Sequence, residues 1–398
     1  MTKGATEITQ KYDAGPGQAH AIRSVETFVV RHDLKPEEQF EYAQNRYWDR
    51  TILLCRITTD SGYTGWGEAF GPALVHKTTI DTVYAPMVVG RNPFETEVVW
   101  ESLYNRLRDH GQKGLSIEAI SAIDIALWDL KGQITGLPIW ALMGGKNRDY
   151  VVPYATGLYR RGGKDELRTL ADEAVSYSER GFRAMKLKIG FGPDYDLAAV
   201  KAVREAIGDD IELKVDANHG YNASSAIDLG RRMEKYNIGW FEEPVPPEDI
   251  EGYREVKDAL SVPVAGGEAE FTRFGFHRLF QARAVDIAQP DCTVTGGISE
   301  FMKIVSLATI HNIQCYPHVW GSAVALYTGL HCSLAMPEFP PRLYPSEVKL
   351  EFDQTANIFR DRLAGAPLPM REGYVDAPTG PGLGIEIDTD LIERYRIA

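Results

Sequence analysis

The chain has 398 residues, of which 44% are apolar and 25% charged, as in a soluble globular protein of about two or three domains. Its 43 basic and 56 acidic residues leave a formal net charge of −13, which argues against binding to nucleic acid or anionic membranes through bulk charge. The four cysteines, Cys55, Cys292, Cys315 and Cys332, have no CxxC or paired spacing, which argues against a disulfide framework or a structural zinc site.

In chain order, the first segment is residues 1–20, which lack the apolar core of a signal peptide and are expected to form a flexible tail. No stretch is long and apolar enough to span a bilayer, so we expect a cytoplasmic protein. The runs SVETFVV and TILLCRIT predict strands, and TDSGYTGWGEA predicts a turn into a third. Helical patterns follow over 93–109 and 116–133, with Ser116 as the expected N-cap of the second. Residues 21–148 are therefore predicted to form an α+β unit.

From residue 149 to residue 352, short apolar runs recur about every 25 residues. Helical patterns lie between most of them, at 165–180, 195–207, 223–236, 250–260 and 299–310. The eight runs are VVPYATGLY, AMKLKIG, IELKVDAN, IGWFEEP, VPVAGGE, VDIAQPD, IQCYPHV and SEVKLEF. Strands that alternate with helices predict an α/β fold with a parallel sheet, and eight units predict a closed barrel of the TIM type. The Gly- and Pro-rich segment from about 353 to 398 is expected to return to the first unit.

The run AMKLKIG contains two lysines, Lys186 and Lys188, which alternate with apolar residues. Residues two apart in a strand point to the same face, so both ammonium groups should project together. Taken alone, the run is equally consistent with an edge strand that has a solvated face. The other predicted strands favour the barrel interior, because most of them also end in an ionisable residue: Asp216, Glu242, Glu268, Asp291, His318 and Glu351.

The carboxylates of Asp216, Glu242 and Glu268 end three successive strands, at spacings of 26 residues. The C-terminal ends of barrel strands meet at one rim, so the three groups should lie together and repel one another unless a cation binds between them. Ligand sets made only of oxygen favour a hard ion, so Mg²⁺ is expected and Mn²⁺ is a possible substitute. Any one of these acids alone would be typical of a surface residue.

Asp291 and His318 end the next two strands and are expected to form a hydrogen-bonded pair in which the carboxylate orients the imidazole. Lys188, opposite this pair, is a candidate base whose pKa we expect to be lowered by Lys186 and the cation. Lys186 is expected to hold the substrate anion. A metal ion between a lysine and a histidine suits removal of a proton next to a carboxylate, with the ion stabilising the charge that develops.

These residues resemble the mandelate racemase subgroup of the enolase superfamily over nearly the whole chain. The resemblance implies a modified (β/α)7β barrel over 149–352 and a capping domain over 21–148 that the C-terminal segment completes. It also implies that Lys188 is a base, that the acids of VDAN, FEEP and GGE bind the metal, and that QPD and PHVWG supply the aspartate–histidine pair. Glu351 resembles the last-strand acid that helps to polarise the substrate carboxylate.

Within the subgroup, the segments LRDHGQKGLS, YATGLYRR, DANHGY, FEEPVPPE and PHVWGS are most similar to galactarolactone cycloisomerases. The resemblance implies an isomerase that opens an aldaro-1,4-lactone by α-proton abstraction and β-elimination, giving a 3-deoxy-2-keto-hexarate. An acid-sugar dehydratase, a racemase and a catalytically silent binding protein are the alternatives. The residues do not decide between Lys188 and His318 as the group that takes the proton.

The resemblance places substrate selection in the cap, in loops at about 33–50 and 67–76. Arg46, Tyr47 and Trp48 are candidates for contacting the distal end of the substrate, and each has a structural alternative, as a solvated or packed side chain. Asn218 and His219 at the barrel rim are further candidates for substrate contact, and His219 could instead brace the metal ligand Asp216. Arg160 and Arg161 could meet a carboxylate or cap a surface. The resemblance also implies an even-numbered homo-oligomer, a dimer or an octamer, with a small-molecule acid sugar or its lactone as the partner.

Overall fold

The computed structural model describes residues 20–344 and 346–398. The predicted tail, residues 1–20, lies almost wholly outside the described residues. Within these ranges, no helix combines the length and the apolar character needed to cross a membrane. All four cysteines are free thiols, in agreement with the absence of paired spacing.

The N-terminal unit is built on a three-stranded antiparallel sheet. Its strands are β1 (Ile22–Asp33), β4 (Asp49–Thr59) and β5 (Thr64–Ala69), in the order β1–β4–β5. A small hairpin between β1 and β4 consists of β2 (Phe40–Tyr42) and β3 (Asn45–Tyr47). The segment predicted as a loop at about 33–50 therefore contains two short strands, and these bring aromatic side chains over the barrel.

Helices cover one face of this sheet. They are α1 (Ala73–Thr79), a π-helical turn (Ile80–Tyr84), α2 (Ala85–Val88), α3 (Thr96–Leu107), α4 (Leu115–Thr135) and α5 (Ile139–Leu142). The backbones of α4 and β5 touch, since a Cβ atom added at Gly67 would lie 1.9 Å from the carbonyl oxygen of Ala122. The prediction of Ser116 as N-cap is wrong: Gly114, at a φ of 84°, precedes the first helical residue, and Ser116 lies within the first turn.

Eight parallel strands follow, and each is joined to the next by a helix. The strands are β6 (Tyr150–Gly157), β7 (Ala184–Lys188), β8 (Glu212–Asp216), β9 (Ile238–Glu242), β10 (Val264–Gly266), β11 (Ile287–Ala288), β12 (Gln314–Cys315) and β13 (Lys349–Asp353). The helices are α6 (Glu166–Glu179), α7 (Pro193–Ile207), α8 (Ala223–Met233), α9 (Ile250–Ala259), α10 (Thr272–Gln281), α11 (Gly297–His311) and α12 (Ala323–Ala335). This is the expected (β/α)7β arrangement, although α10 and α12 were not predicted from the sequence.

The strands pair in the order β12–β11–β10–β9–β8–β7–β6–β13. The two ends of this sheet approach each other at the rim, where the backbone amide of Val319, just beyond β12, donates to Glu351 Oε2 on β13 at 3.1 Å. Apolar side chains such as Met185, Leu187 and Val215 point outward from the strands and pack against the helices. The C-terminal ends of the strands therefore surround one central space.

The C-terminal segment contacts both units. It contains α13 (Ile358–Arg362), β14 (Val375–Asp376) and α14 (Thr389–Tyr395), and β14 pairs with the start of β6. Its last residues run beside β1, where Val29 donates to the carbonyl of Ala398 at 2.9 Å and accepts from the amide of Ile397 at 2.8 Å. These contacts favour a cap that the C-terminal segment completes, but the boundaries at residues 148 and 353 stay predictions.

His331 on α12 connects three parts of the chain. Its ring is fully buried, Nδ1 accepts from the backbone amide of Trp140 at 3.2 Å, and Nε2 donates to the carbonyl of Leu383 at 3.1 Å. Burial lowers the pKa of His331 to about 4, because a protonated ring would lose both its solvation and its acceptor atom.

We predict that His331 makes the protein sensitive to acid. The neutral ring stabilises the fold fully above the ordinary pKa of 6.5, and this stabilisation is lost as the pH falls towards 4. The free energy of unfolding of the wild type should therefore fall by about 3 kcal/mol more than that of His331→Gln over this window. Urea denaturation of both proteins at several pH values measures this difference. A difference in the free energy of unfolding between wild type and His331→Gln that does not change with pH would contradict the prediction.

Candidate functional site

The side chains of Lys186 and Lys188 both enter the barrel from β7, as the alternation predicted, and an edge strand with a solvated face is excluded. Lys186 is fully buried. Its Nζ contacts Glu242 Oε1 at 2.5 Å, Glu351 Oε1 at 2.8 Å and Asp216 Oδ2 at 3.6 Å. Lys188 Nζ donates to Asp216 Oδ2 and, at 3.0 Å, to Asn218 Oδ1.

The expected lowering of the lysine pKa is not present in this arrangement. Burial alone would lower the pKa of Lys188, but the adjacent Asp216 carboxylate outweighs burial and raises it. The pKa of Lys186 is raised well above its ordinary value, because Glu242 and Glu351 outweigh burial. In these contacts both lysines are fully charged near neutral pH.

The three predicted ligands lie together at the rim. Asp216 is the last residue of β8, Glu242 is the last residue of β9 and stands directly beside Asp216, and Glu268 follows β10 by two residues. One carboxylate oxygen from each lies within 4.8 Å of the others. Burial and the neighbouring acids Asp216 and Glu351 raise the pKa of Glu242 to about 7, despite the contact with Lys186. The three acids therefore repel one another.

Asp291 and His318 form the predicted pair. His318 Nδ1 lies 2.6 Å from Asp291 Oδ2, and the other oxygen of Asp291 accepts from both the amide and the hydroxyl of Thr293 at 2.6 Å. His318 Nε2 lies 3.3 Å from Glu268 Oε2. Burial would lower the pKa of His318, but Glu268, Glu351 and Asp291 outweigh it and raise the pKa to about 10.

The charges of this cluster fit a divalent cation. With every group in its ionised form, the carboxylates of Asp216, Glu242, Glu268, Asp291 and Glu351 exceed Lys186, Lys188 and His318 by two negative charges. In addition, Glu268 Oε2 is buried and accepts no hydrogen bond from the described residues, although His318 Nε2 lies 3.3 Å away. A buried carboxylate oxygen needs a hydrogen-bond partner or a cation. An oxygen-only donor set with two excess negative charges suits Mg²⁺ or Mn²⁺.

A cavity of about 120 Å³ gives access to the cluster. Tyr42, Gln44 and Tyr47 from the β2–β3 hairpin and Phe70 after β5 form the cap side of its wall. The barrel contributes Tyr159, Lys188, Asn218, His219, Glu268, His318 and Trp320. The cavity therefore exposes one metal-ligand candidate and both candidate proton carriers to the same bound molecule.

Of the three cap residues that the sequence suggested for substrate contact, one faces the cavity and two do not. Tyr47 lines the cavity, whereas the side chains of Arg46 and Trp48 lie on the other face of the hairpin, because successive residues of a strand point to opposite faces. The Arg46 side chain is 49% exposed and contacts Glu41 at 2.8 Å, and Trp48 is 53% exposed.

The rim candidates differ in what they contact. Asn218 and His219 line the cavity and have left-handed backbone conformations, with φ values of 39° and 66°. His219 Nε2 lies 3.1 Å from Glu243 Oε2, so a carboxylate already holds this ring. Glu351 is fully buried and bound to Lys186, Thr156 and Val319, and it does not line the cavity.

Sequence reasoning did not single out several cavity residues: Tyr42, Gln44, Phe70, Tyr159 and Trp320. Trp320 follows His318 by two residues, and Tyr42 lies within the segment at about 33–50 that was expected to select the substrate. Their positions in the sequence were therefore the available signal. Arg50 was also missed. It is buried on β4, and its guanidinium carbon lies 4.3 Å from the centre of a Trp320 ring.

Two family models match the chain. Residues 24–144 match the mandelate racemase / muconate lactonizing enzyme N-terminal domain, and residues 169–391 match the enolase C-terminal domain-like family. Together these matches cover most of the chain.

Among curated proteins, the chain is 44% identical to D-galactarolactone cycloisomerase from Agrobacterium fabrum, over 94% of this chain and 99% of that protein. Among solved structures, it is similar to 3,6-anhydro-D-galactonate cycloisomerase from Zobellia galactanivorans, with a TM-score of 0.86, 38% identity, and coverage of 95% of this chain and 100% of that one. It is also similar to a mutant L-talarate/galactarate dehydratase liganded with Mg and L-glucarate, with a TM-score of 0.85, 28% identity, and coverage of 100% and 97%.

We predict that Lys186 is needed for the stability of the rim. Lys186→Met leaves Glu242 and Glu351 buried without their shared cation, so the free energy of unfolding should fall by about 3 kcal/mol or more. The control is Lys201→Met on α7, where an exposed lysine lies 3.7 Å from Glu205, and the expected change is below about 1 kcal/mol. Urea denaturation in the presence of a chelator measures both, and equal effects of the two variants would refute the prediction.

Proposed function

Because the chain belongs to the mandelate racemase / muconate lactonizing enzyme family of the enolase superfamily, we propose that it is a Mg²⁺-dependent lactone cycloisomerase. The substrate is an aldaro-1,4-lactone, galactarolactone or glucarolactone, and the product is a 3-deoxy-2-keto-hexarate. The observation that carries this proposal is the position of Lys188 and His318, which line one cavity beside a cluster of three carboxylates.

We assign the metal to Asp216, Glu242 and Glu268, with Mn²⁺ as a possible substitute for Mg²⁺. The excess of two negative charges in the cluster and the buried oxygen of Glu268 that accepts no hydrogen bond support this assignment. When bound there, a divalent ion supplies positive charge that stabilises the negative charge developing on the substrate carboxylate. A structural relative liganded with Mg and L-glucarate also supports it.

We assign removal of the proton next to the substrate carboxylate to the neutral form of Lys188 Nζ or His318 Nε2, the two basic atoms that the cavity exposes. A cation bound to Asp216 and Glu268 would offset the negative charges that raise the pKa of both groups, and so favour the neutral forms. Asn218 orients Lys188 through the 3.0 Å hydrogen bond, and Asp291 holds the other ring nitrogen of His318. Lys186 does not line the cavity. We assign it the role of holding Glu242 and Glu351 in place and of adding positive charge beneath the substrate anion.

The reaction conserves the atoms of the substrate. As the α-proton moves to the enzyme, its electron pair forms the new double bond, and the bond from the adjacent carbon to the lactone oxygen breaks. The oxygen leaves as a carboxylate, which is a stable leaving group and needs no proton. The enol then receives a proton at the new methylene carbon and loses its hydroxyl proton, which gives the ketone.

A dehydratase of open-chain acid sugars is the second candidate, because the chain is also similar to L-talarate/galactarate dehydratase. A dehydratase removes hydroxide, which needs a proton as it departs. A racemase would need only the two proton carriers. The cycloisomerase is favoured by the 44% identity to D-galactarolactone cycloisomerase over 94% of the chain. A cytoplasmic location and an even-numbered homo-oligomer stay predictions.

We predict that galactaro- or glucaro-1,4-lactone is consumed much faster than the open-chain acids when each is incubated with the protein and MgCl₂ in D₂O. Proton NMR should show deuterium at the new methylene carbon, because the enol is protonated from solvent. Mass spectrometry should show that, apart from exchange and ionisation, the product has the composition of the lactone. Faster reaction of the open-chain acid, with a product lighter by one water, would identify a dehydratase instead. Exchange of the α-proton without elimination would identify a racemase.

A further inference from the structure

The wall that the cap contributes to the cavity carries no charge. Its described residues are Tyr42, Gln44, Tyr47 and Phe70, which offer two phenol hydroxyls, an amide and apolar rings. The charged groups all come from the barrel. A molecule that fills the cavity therefore meets charged groups at one end and neutral hydrogen-bonding or apolar groups at the other.

The arginines of the hairpin and of the loop after the first barrel strand form ion pairs with glutamates outside the cavity. Arg46 is on the outer face of the hairpin and contacts Glu41. Arg160 lies over the rings of Phe191 and Tyr195 and contacts Glu166, while Arg161 pairs with Glu173. Among the described residues that line the cavity, none is an arginine.

Arg50 lies close by but outside the cavity. Its exposure is only 4%, Nη2 contacts Asp353 Oδ2 at 2.9 Å, and Nε donates to the carbonyl of Ala356 at 3.1 Å. Arg50 lines a neighbouring cavity of about 250 Å³, and both cavities share the side chains of Tyr47, Phe70 and Trp320 as walls. The positive charge of Arg50 is thus matched by Asp353 and lies behind aromatic rings.

On the basis of the proposed function, we infer that the substrate is a monoanion whose far end is neutral. Its single carboxylate lies at the barrel end, and its far end, a lactone carbonyl or a hydroxyl group, contacts the uncharged cap wall. A second carboxylate would lose solvation against phenol rings and an amide without gaining a cation, and this costs binding free energy. Hydroxyl and carbonyl groups lose less and can hydrogen-bond to Tyr42, Gln44 and Tyr47.

This charge pattern has a consequence for turnover. An aldaro-1,4-lactone carries one free carboxylate, whereas the open product carries two, because the lactone oxygen leaves as a carboxylate. The second negative charge appears at the end of the molecule that faces the cap. The cavity therefore binds the lactone better than the product, which favours product release.

The test compares two acids that differ only at the far end. Galactonate ends in a CH₂OH group and galactarate ends in a carboxylate, with the same stereochemistry along the chain. Binding of each to the whole protein in MgCl₂ is measured by isothermal titration calorimetry. We expect galactonate to bind about tenfold more tightly or better, which corresponds to about 1.4 kcal/mol.

Substitution of Gln44 can introduce a charge into the cap wall of the cavity. Gln44 is exposed, and its Nε2 donates to the carbonyl of Asn218 at 3.0 Å, so a longer side chain at this position reaches the cavity mouth. Gln44→Arg should reverse the preference and make galactarate the tighter ligand by about tenfold. The control Gln44→Met removes the amide without adding a charge, so galactonate should bind more weakly than to the wild type but should stay the tighter ligand of the two.

Equal or tighter binding of galactarate to the wild type would overturn the inference, as would the absence of binding by either acid. An unchanged preference in Gln44→Arg would overturn it as well. These outcomes are separate from the test of the proposed function. If the lactone is opened but galactarate binds more tightly, the reaction stands and the monoanion inference fails. If galactonate binds more tightly but the lactone is not opened, the inference stands and lactone opening fails.

Discussion

The buried charge cluster at the barrel mouth is the constraint on which the rest of the structure depends. Lys186 has no access to solvent and touches three carboxylates, an arrangement that is stable only if each charge is matched. The parallel strands satisfy this condition because their register places Lys188 beside Asp216 and Asp216 beside Glu242. The remaining negative charge on the acids of the rim gives the site its affinity for a divalent cation. Strand register, metal binding and the position of the proton carriers are therefore parts of one electrostatic arrangement.

The cap completes the site with buried polar contacts outside the cavity and with uncharged side chains over it. The carboxylate of Glu68 on β5 accepts from the amides of Ser322 and Ala325 at 2.9 Å and 3.1 Å, and so fixes the start of α12 immediately after His318 and Trp320. Arg50 joins β4 to Asp353 on the last barrel strand and stacks on Trp320. These contacts hold aromatic rings over the cavity and leave the charged chemistry to the barrel. A division of this kind lets a change in the cap alter the substrate without disturbing the reaction.

The sequence predicted the barrel and the charged rim well, since a parallel barrel repeats one unit and each unit ends in a chemically distinctive residue. The alternation in AMKLKIG placed both lysines on one face, and the ionisable ends of the other strands indicated that this face is the barrel interior. The cap was harder to predict. The hairpin that carries Tyr42 and Tyr47 is only three residues per strand, too short for its alternation to be recognised. Arg46 was therefore chosen as a candidate without knowledge of the face on which it lies, and Arg50 in the same segment was not chosen. The lowered pKa expected for Lys188 stays a prediction for the site with its cation, and the sequence did not reveal the direct contact with Asp216 that raises the pKa.

The most direct test of the account is whether the buried carboxylates bind one divalent ion. Titration of the metal-free protein with MgCl₂ in a calorimeter should show a single site. Glu268→Gln should weaken binding by about 100-fold or more, because it removes one charged ligand atom. Glu270→Gln is the matched control, since Glu270 lies two residues further along, accepts from the amide of Phe271 at 2.9 Å and is outside the cluster. This variant should bind Mg²⁺ as the wild type does. No binding to the wild type, or equal binding to Glu268→Gln, would contradict the account.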